Sequence, residues 1–131
     1  MTKDVRTLAI DYNRAFGEGR LDHVARMLHP DLEFDGTAKS ARGRDAYMSG
    51  LPGLVSVLER NDLKDVVVDG NRAFILYDFI TDTPAGAVLS GELLTFDADG
   101  LITKITLLFD HRHWADVITE IQRRATPTAA R

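Results

Sequence analysis

The amino-acid sequence predicts an α+β domain in which a strongly curved antiparallel sheet wraps over three N-terminal helices and encloses a pocket. Apolar residues recur at helical spacing through most of the first half of the chain, and from residue 63 onward they follow the shorter period of strands. Helices and hairpins that are segregated along a chain are typical of α+β folds. With 131 residues, 44% of them hydrophobic, we expect one domain over residues 1–131 with a frayed tail over about 126–131.

Three helices are predicted ahead of the sheet. Their apolar stripes cover about residues 2–16, 21–28 and 47–58. Pro30 is expected to end the second helix, because a proline cannot continue the helical hydrogen-bond ladder. Pro52 lies inside the third stripe, where we expect a kink or a break.

A short strand is predicted at residues 32–35, and four more strands form an antiparallel meander in the second half of the chain. Turn motifs separate the strands of the meander. Residues 97–100, Asp-Ala-Asp-Gly, form one such turn, and Gly100 supplies the positive φ that a bulged hairpin needs. A short helix is expected from Trp114 onward. The meander strands are expected at about residues 66–68, 73–77, 88–96 and 101–113.

The composition argues against several classes of function. The net charge is −4 and no basic stripe occurs, so we expect no nucleic-acid partner. The chain has no cysteine, which excludes disulfides and thiolate metal ligands, and no motif implies a metal or a cofactor. No apolar run reaches about 18 residues and the N-terminal stretch lacks the apolar core of a signal peptide, so we expect a cytoplasmic protein without a membrane partner.

One strand of the meander carries a carboxylate on an apolar face. With period two, Glu92 shares a face with apolar residues such as Val88 and Leu94. Because burial of a charged carboxylate is costly, such a group normally pairs with a cation or takes up a proton. Arg72 and Arg112 are available as partners, in the core or across a dimer interface, so both interpretations stay open.

A polar cluster, Asp110 to His113, ends the predicted last strand. The pKa of an unperturbed histidine lies near neutrality, which suits a general base. Strand parity groups His111 with Phe109 and puts Asp110 on the opposite face unless a bulge re-aims it, so we prefer His111 over Asp110 as the proton acceptor. Two histidines without a third ligand nearby do not predict a metal site. The alternative is that the strand leaves the core here and the cluster is solvated.

All three tyrosines are expected in the interior. Tyr12 lies on the apolar face of the first predicted helix, so its hydroxyl group needs a partner inside the protein. Tyr47 and Tyr77 are expected in the core or in the wall of the pocket.

The order of these elements and three stretches of sequence resemble the nuclear-transport-factor-2-like superfamily, which includes ketosteroid isomerases, SnoaL-like polyketide cyclases and limonene epoxide hydrolase. This resemblance implies the cone-shaped α+β barrel, also called cystatin-like, with a pocket inside. The three stretches are AIDYNRAFGEGRLDHVARMLHPDLEF at 9–34, GRDAY at 43–47 and LTFDADGLITKITLLFD at 94–110.

The resemblance to ketosteroid isomerases implies roles for single residues. That family places an oxyanion donor late in the first helix, where Tyr12 falls. Its second donor is a protonated acid four residues before the phenylalanine of an F-D-x-x-G turn, and counting back from Phe96 gives Glu92. The general base of the family aligns with Gly36, one residue after Asp35. Asp35 can serve only if the strand ends or bulges there, because adjacent strand residues face opposite sides.

The other two enzyme families imply a different part of the chain. SnoaL-like cyclases place an acid–base residue near the end of the last strand, where Asp110, His111 and His113 are the candidates. The epoxide hydrolase pattern fits less well. Asp110 matches its final aspartate, but the strand over residues 74–80 lacks the arginine that its catalysis requires.

The resemblance therefore implies a small-molecule enzyme of the isomerase or cyclase type, which abstracts a proton next to a carbonyl group in an apolar pocket. Its ligand is expected to be a small, mostly apolar carbonyl compound. Tyr12 and Glu92 are expected to stabilise the enolate oxygen, and Asp35 or His111 to move the proton. The alternative is a non-catalytic module of the same shape that binds a hydrophobic ligand or dimerises.

A homodimer is expected in either case. Strand parity places Leu89, Leu93 and Leu108 together on the face of the sheet that points away from the pocket. An apolar face of this kind needs a cover, and we expect a second copy of the chain to supply it.

Overall fold

A computed structural model describes residues 4–126 of the chain. Helices dominate the first half and strands the second, as predicted. The helices are α1 (Val5–Gly17), α2 (Leu21–Arg26), α3 (Arg44–Ser49), α4 (Leu51–Val55) and α5 (Trp114–Ala125). The strands are β1 (Leu28–Gly36), β2 (Ser40–Arg42), β3 (Leu58–Asp69), β4 (Arg72–Thr81), β5 (Ala87–Phe96) and β6 (Ile102–Phe109).

The six strands form one sheet in the order β2-β1-β6-β5-β4-β3. The predicted antiparallel meander is confirmed, because β3 to β6 pair in sequence order and each pair is antiparallel. β1 joins the free edge of β6 in parallel, and β2 then pairs with β1 in antiparallel fashion. The α+β architecture that the sequence predicts is therefore confirmed, with one parallel pair added to the sheet.

Local interactions stabilise the predicted turn at residues 97–100, which joins β5 to β6. Gly100 has a φ of +81°, as the bulged turn requires. The Asp97 carboxylate accepts hydrogen bonds from the backbone amides of Asp99 and Leu101, both at 2.9 Å.

At the start of α1, the side chain of Asp4 caps the helix by accepting from the amide of Thr7 at 2.7 Å.

The prediction that the second helix runs to Leu28 and ends at Pro30 is wrong. α2 ends at Arg26, and Leu28 is already the first residue of β1, paired with Ile102 and 1% exposed. Pro30 is tolerated in this strand because the ladder with β6 is interrupted between Leu28 and Glu33, so its missing amide removes no ladder bond.

Two other predicted boundaries also differ. The third helical stripe is broken, as expected, and Pro52 lies in the first turn of α4, where its missing amide costs nothing. Leu58, however, begins β3 and pairs with Thr81 instead of continuing the helix. The last strand ends at Phe109, four residues earlier than predicted. The predicted helix start at residue 2 and most of the predicted tail lie outside the described residues.

The two faces of β5 differ in the way that its sequence predicts. Val88, Ser90, Glu92, Leu94 and Phe96 are all buried and face the interior. On the outer face of the sheet, Leu89 is 46% and Leu108 is 54% exposed.

None of the helices formed by residues 4–126 has both the length and the apolar character needed to cross a bilayer.

Candidate functional site

A cavity of about 440 Å³ lies between the concave face of the sheet and helices α3, α4 and α5. Most of its lining residues are aliphatic or aromatic, and they come from both layers of the fold. Apart from the indole of Trp114, the polar side chains on its wall are Lys39, Tyr47, Tyr77, Ser90 and Glu92. An apolar cavity with a few polar groups is the usual form of a small-molecule site.

Glu92 lies on this wall and is 5% exposed. Its Oε2 atom accepts a hydrogen bond from the hydroxyl group of Tyr77, which lies on the adjacent strand β4. Tyr77 pairs with Ser90, and Glu92 pairs with Ile75, so the two side chains are diagonal neighbours on the inner face. The interpretation that Glu92 pairs with Arg72 or Arg112 is wrong within the chain, because Arg72 bonds to Asp69 and Arg112 to Asp110.

Burial determines the protonation of Glu92. The loss of solvent raises its pKa from 4.5 to about 7, and the hydrogen bond from Tyr77 opposes this rise only in part. Both the acid and the carboxylate are therefore populated near neutral pH. A pKa close to the operating pH is the optimum for a group that has to accept a proton and give it back.

Two further tyrosines form a second polar pair. The hydroxyl groups of Tyr12 and Tyr47 are 2.5 Å apart. Tyr47 lines the cavity, whereas Tyr12 is 1% exposed and reaches the cavity only through Tyr47. Either hydroxyl group can donate this hydrogen bond, and only Tyr47 has the cavity on its other side, so the arrangement relevant to a ligand has Tyr12 as donor. The proton of Tyr47 is then free to point into the cavity.

All three phenols stay protonated at neutral pH. Burial raises the pKa of Tyr12, Tyr47 and Tyr77 well above the usual value of 10, and the negative charge of Glu92 raises each of them further. The Tyr12–Tyr47 pair and the Tyr77–Glu92 pair therefore act in one electrostatic field. In this field, Tyr47 can serve as a neutral hydrogen-bond donor to an oxygen atom of a ligand.

Three predicted proton-transfer residues do not line the cavity. The carboxylate of Asp35 lies 3.3 Å from the guanidinium of Arg42, with its side chain 40% exposed. His111 is exposed; its Nε2 atom lies 2.7 Å from the Thr37 hydroxyl, and its ring stacks on Phe109 with 4.1 Å between centroids. The structure therefore places both residues outside the cavity wall.

Asp110, the third of these residues, is bound in an ion pair. Its carboxylate accepts from the Nε and Nη2 atoms of Arg112 at 3.0 and 2.6 Å. These bonds lower the pKa of Asp110 to about 2. A carboxylate with such a low proton affinity is a poor general base. Within residues 4–126, no three histidine, aspartate or glutamate side chains come close enough to hold a metal ion.

The sequence placed Tyr47 and Tyr77 in the interior but did not identify their contacts. Tyr77 shares strand parity with Ile75 and Phe79, which was sufficient to predict that it faces inward. The register between β4 and β5 decides which residue it meets, and the sequence does not fix that register. Tyr12 and Tyr47 are 35 residues apart, and no local pattern connects them.

The chain is similar to a known domain family and to several solved structures. Residues 9–105 match the family model of the SnoaL-like domain. A protein from Kribbella flavida has a TM-score of 0.79 at 23% identity, with 90% of this chain and 96% of that chain covered. A nuclear-transport-factor-2-like protein of unknown function from Cytophaga hutchinsonii has a TM-score of 0.74 at 17% identity, with 88% and 97% covered. A steroid delta-isomerase from Pseudomonas aeruginosa has a TM-score of 0.71 at 18% identity, with 95% and 93% covered. No curated protein sequence gives a match.

Proposed function

Because the chain belongs to the SnoaL-like domain family, we propose that it is a small-molecule enzyme of the isomerase or cyclase type. It would remove a proton next to a carbonyl group of an apolar ligand held in the cavity. One observation carries this proposal: Glu92, a buried carboxyl group whose pKa lies near neutrality, stands on the wall of a largely apolar cavity. The likeness to a steroid delta-isomerase supports the same class of reaction.

Glu92 is the group that would move the proton. The resemblance implied Asp35 or His111 for this task, but neither lines the cavity, and Asp110 is held in an ion pair with Arg112. The carboxylate form of Glu92 would accept the proton from the carbon atom. The phenol of Tyr77 would keep its hydrogen bond to Glu92 Oε2 during this step. Because the phenol is neutral, it does not cancel the charge of the carboxylate.

Tyr47 would hold the oxygen atom on which charge develops. When the C–H bond breaks, its electron pair moves into the enolate and the negative charge collects on the carbonyl oxygen. A donor that is already in place stabilises this charge without reorganisation. Tyr12 would hold the hydroxyl group of Tyr47 in position through the 2.5 Å hydrogen bond. This assignment keeps Tyr12 in oxyanion stabilisation but makes Tyr47 the residue that contacts the substrate.

Two outcomes balance atoms and charge without a co-reactant. In an isomerisation, protonated Glu92 returns the proton to a different carbon atom of the same enolate. In a ring closure, the enolate carbon attacks a second carbonyl group of the ligand, and the proton goes to the new alkoxide. Both reactions start with the same abstraction, so one experiment tests them together.

Deuterium exchange measures this abstraction directly. A panel of apolar ketones and enones is incubated with the protein in D₂O, and loss of the proton beside the carbonyl group is followed by NMR. We expect exchange with the wild-type protein, and a rate about 10² to 10⁴ lower with Glu92→Gln. Asp35→Asn serves as the matched control and should keep the wild-type rate. Undiminished exchange in Glu92→Gln would rule out this mechanism.

A specific observation also favours the non-catalytic alternative. Of the six residues first considered for catalysis, only Glu92 lines the cavity. If ligands of the panel bind to the wild-type protein but none of them exchanges, the function is that of a binding module for hydrophobic molecules.

We also propose that the protein is a homodimer through the outer face of the sheet. Leu89 and Leu108 are about half exposed on this face, and Val67 is 57% exposed. A second copy would bury these side chains against their own equivalents, as a two-fold interface does. Sedimentation measurements test this assembly.

A further inference from the structure

The cavity wall carries two ionisable groups of opposite charge, apart from its phenols. Glu92 is buried in the interior, and Lys39 is exposed in the turn between β1 and β2. Most other side chains on the wall are apolar, and they include Leu54, Leu107 and Ile121. A ligand that fills the cavity therefore meets an acid at its inner end and a cation at its outer end.

The sheet register gives the separation of these two residues. Glu92 pairs with Leu107 on β6, and Leu107 pairs with Gly36 on β1. The amide of Gly36 in turn donates to the carbonyl oxygen of Lys39 at 2.8 Å. Glu92 and Lys39 thus lie in one row across the sheet, separated by three strand spacings, or about 14 Å between backbones. The two side chains and the curvature of the sheet shorten the gap that a ligand has to span.

Within residues 4–126, Lys39 has no acidic partner, in contrast to its charged neighbours. Arg42 is paired with Asp35, and Arg112 with Asp110. No carboxylate of residues 4–126 lies within 4.0 Å of the Lys39 ammonium. The whole chain has a net charge of −4, so its overall field repels an approaching anion. The ammonium group of Lys39 at the rim of the cavity provides a local attraction.

Gly50 leaves space for this ammonium group. A Cβ atom at position 50 would lie 3.3 Å from the Nζ atom of Lys39, which is tighter than an ordinary contact. The backbone of Gly50 has φ −87° and ψ −11°, a conformation that any residue can adopt, so the turn itself does not require glycine. The absence of a side chain at this position thus lets the ammonium approach the rim of the cavity.

From this arrangement we propose that the ligand is an amphiphilic carboxylic acid. The carbon atom that loses its proton lies at Glu92 and the carbonyl oxygen beside it at Tyr47. The apolar body of the ligand fills the cavity, and its carboxylate pairs with Lys39 at the rim. This inference rests on the proposed function for the position of the carbonyl group, and it adds the anionic end as a new feature. Lysine acts as a compact point charge, which suits a single carboxylate.

Phenols that mimic an enolate test the inference without any turnover. The probes are ω-(4-hydroxyphenyl)alkanoic acids of increasing chain length and their methyl esters, with binding measured by calorimetry. We expect the acid to bind about fivefold more tightly than its ester at one preferred chain length, which is the size of effect of an exposed ion pair. Lys39→Met keeps the length of the side chain and should abolish this preference. Lys104→Met, an exposed lysine on the outer face, should leave it unchanged.

The outcomes separate this inference from the proposed function. Equal binding of acids and esters at every chain length would overturn the role of Lys39 and leave the Glu92 chemistry intact. Loss of the preference in Lys104→Met as well as in Lys39→Met would show that the overall field of the protein, and not this contact, selects anions, which also overturns it. If neither acids nor esters bind, the enolate site itself fails, and the proposed function fails with it.

Discussion

Replacement of Glu92 by glutamine tests the proposal that burial holds this acid near neutrality. The two side chains have nearly the same shape, and the amide oxygen can accept the hydrogen bond from Tyr77 as the carboxylate does. The substitution therefore removes the ionisation of residue 92 and little else. Any pH dependence in the stability difference between the two proteins then belongs to Glu92.

The size of the effect follows from the pKa values. In the unfolded chain Glu92 releases its proton around pH 4.5, whereas in the folded protein it holds the proton up to about pH 7. Between these values the folded state binds more protons than the unfolded state, so stability falls as the pH rises. At 1.36 kcal/mol for each pKa unit, the wild-type protein loses about 3 kcal/mol relative to Glu92→Gln by pH 8.

Urea unfolding of both proteins between pH 4 and pH 8 measures this difference. We expect the free energy of unfolding of Glu92→Gln to gain about 3 kcal/mol over that of the wild type across the range. Asp110 and Glu120, whose pKa values are lowered to about 2, lose their contribution to stability at still lower pH and do so equally in both proteins. Glu59→Gln, at a side chain that is 51% exposed, is the control and should show no such trend. A constant difference between the two proteins would refute the reasoning, because it would mean that Glu92 titrates as an ordinary surface acid.

Three further predictions concern the phenols and the outer face. Tyr77→Phe removes a hydrogen bond that favours the carboxylate, so the pKa of Glu92 should rise above its wild-type value of about 7; an unchanged midpoint in the pH profile of deuterium exchange would contradict this. The chain has three tyrosines, and burial raises the pKa of each of them. The ultraviolet absorbance at about pH 10.5 should therefore show no tyrosinate in the folded protein and three tyrosinates after unfolding. Leu108→Glu places a charge on the proposed dimer face and should shift sedimentation toward the monomer, while a wild-type protein that sediments as a monomer would rule the interface out.

The parts of the fold that the sequence predicts best are those with an unambiguous period. The alternation along β5 assigns each side chain to its face, and the stripe in α1 gives that helix to within a few residues. The predictions failed where an apolar residue fits either period. Leu28 and Leu58 each continue a helical stripe, yet each is the first residue of a strand. Their strand partners, Ile102 and Thr81, are far away in sequence, so tertiary pairing decided a boundary that local spacing left open.

The candidate site was predictable to a similar degree. A carboxylate on an apolar strand face is visible in the sequence, and so Glu92 was found. Its partner Tyr77 depends on strand register, which no local pattern fixes. The preference for His111 rested on the parity of a strand that ends at Phe109, and beyond a strand end parity no longer determines where a side chain points.

The free energy of unfolding that ionised Glu92 costs and the rise in its pKa have the same cause, which is burial of the carboxyl group. This shared cause argues for a role of Glu92 in the cavity. Where the fold needs a carboxylate for structure, the chain gives it a cation. Arg124 of α5, for example, bonds to Asp82, directly after β4, and to Glu120 within the same helix. Among the described residues, Glu92 receives only a phenol, which cannot cancel its charge. An apolar residue of similar size would avoid the cost, because buried polar groups add little to stability in general. Since the same burial keeps the proton on Glu92 up to about pH 7, any substitution at this position that removes the cost also removes the group that transfers the proton.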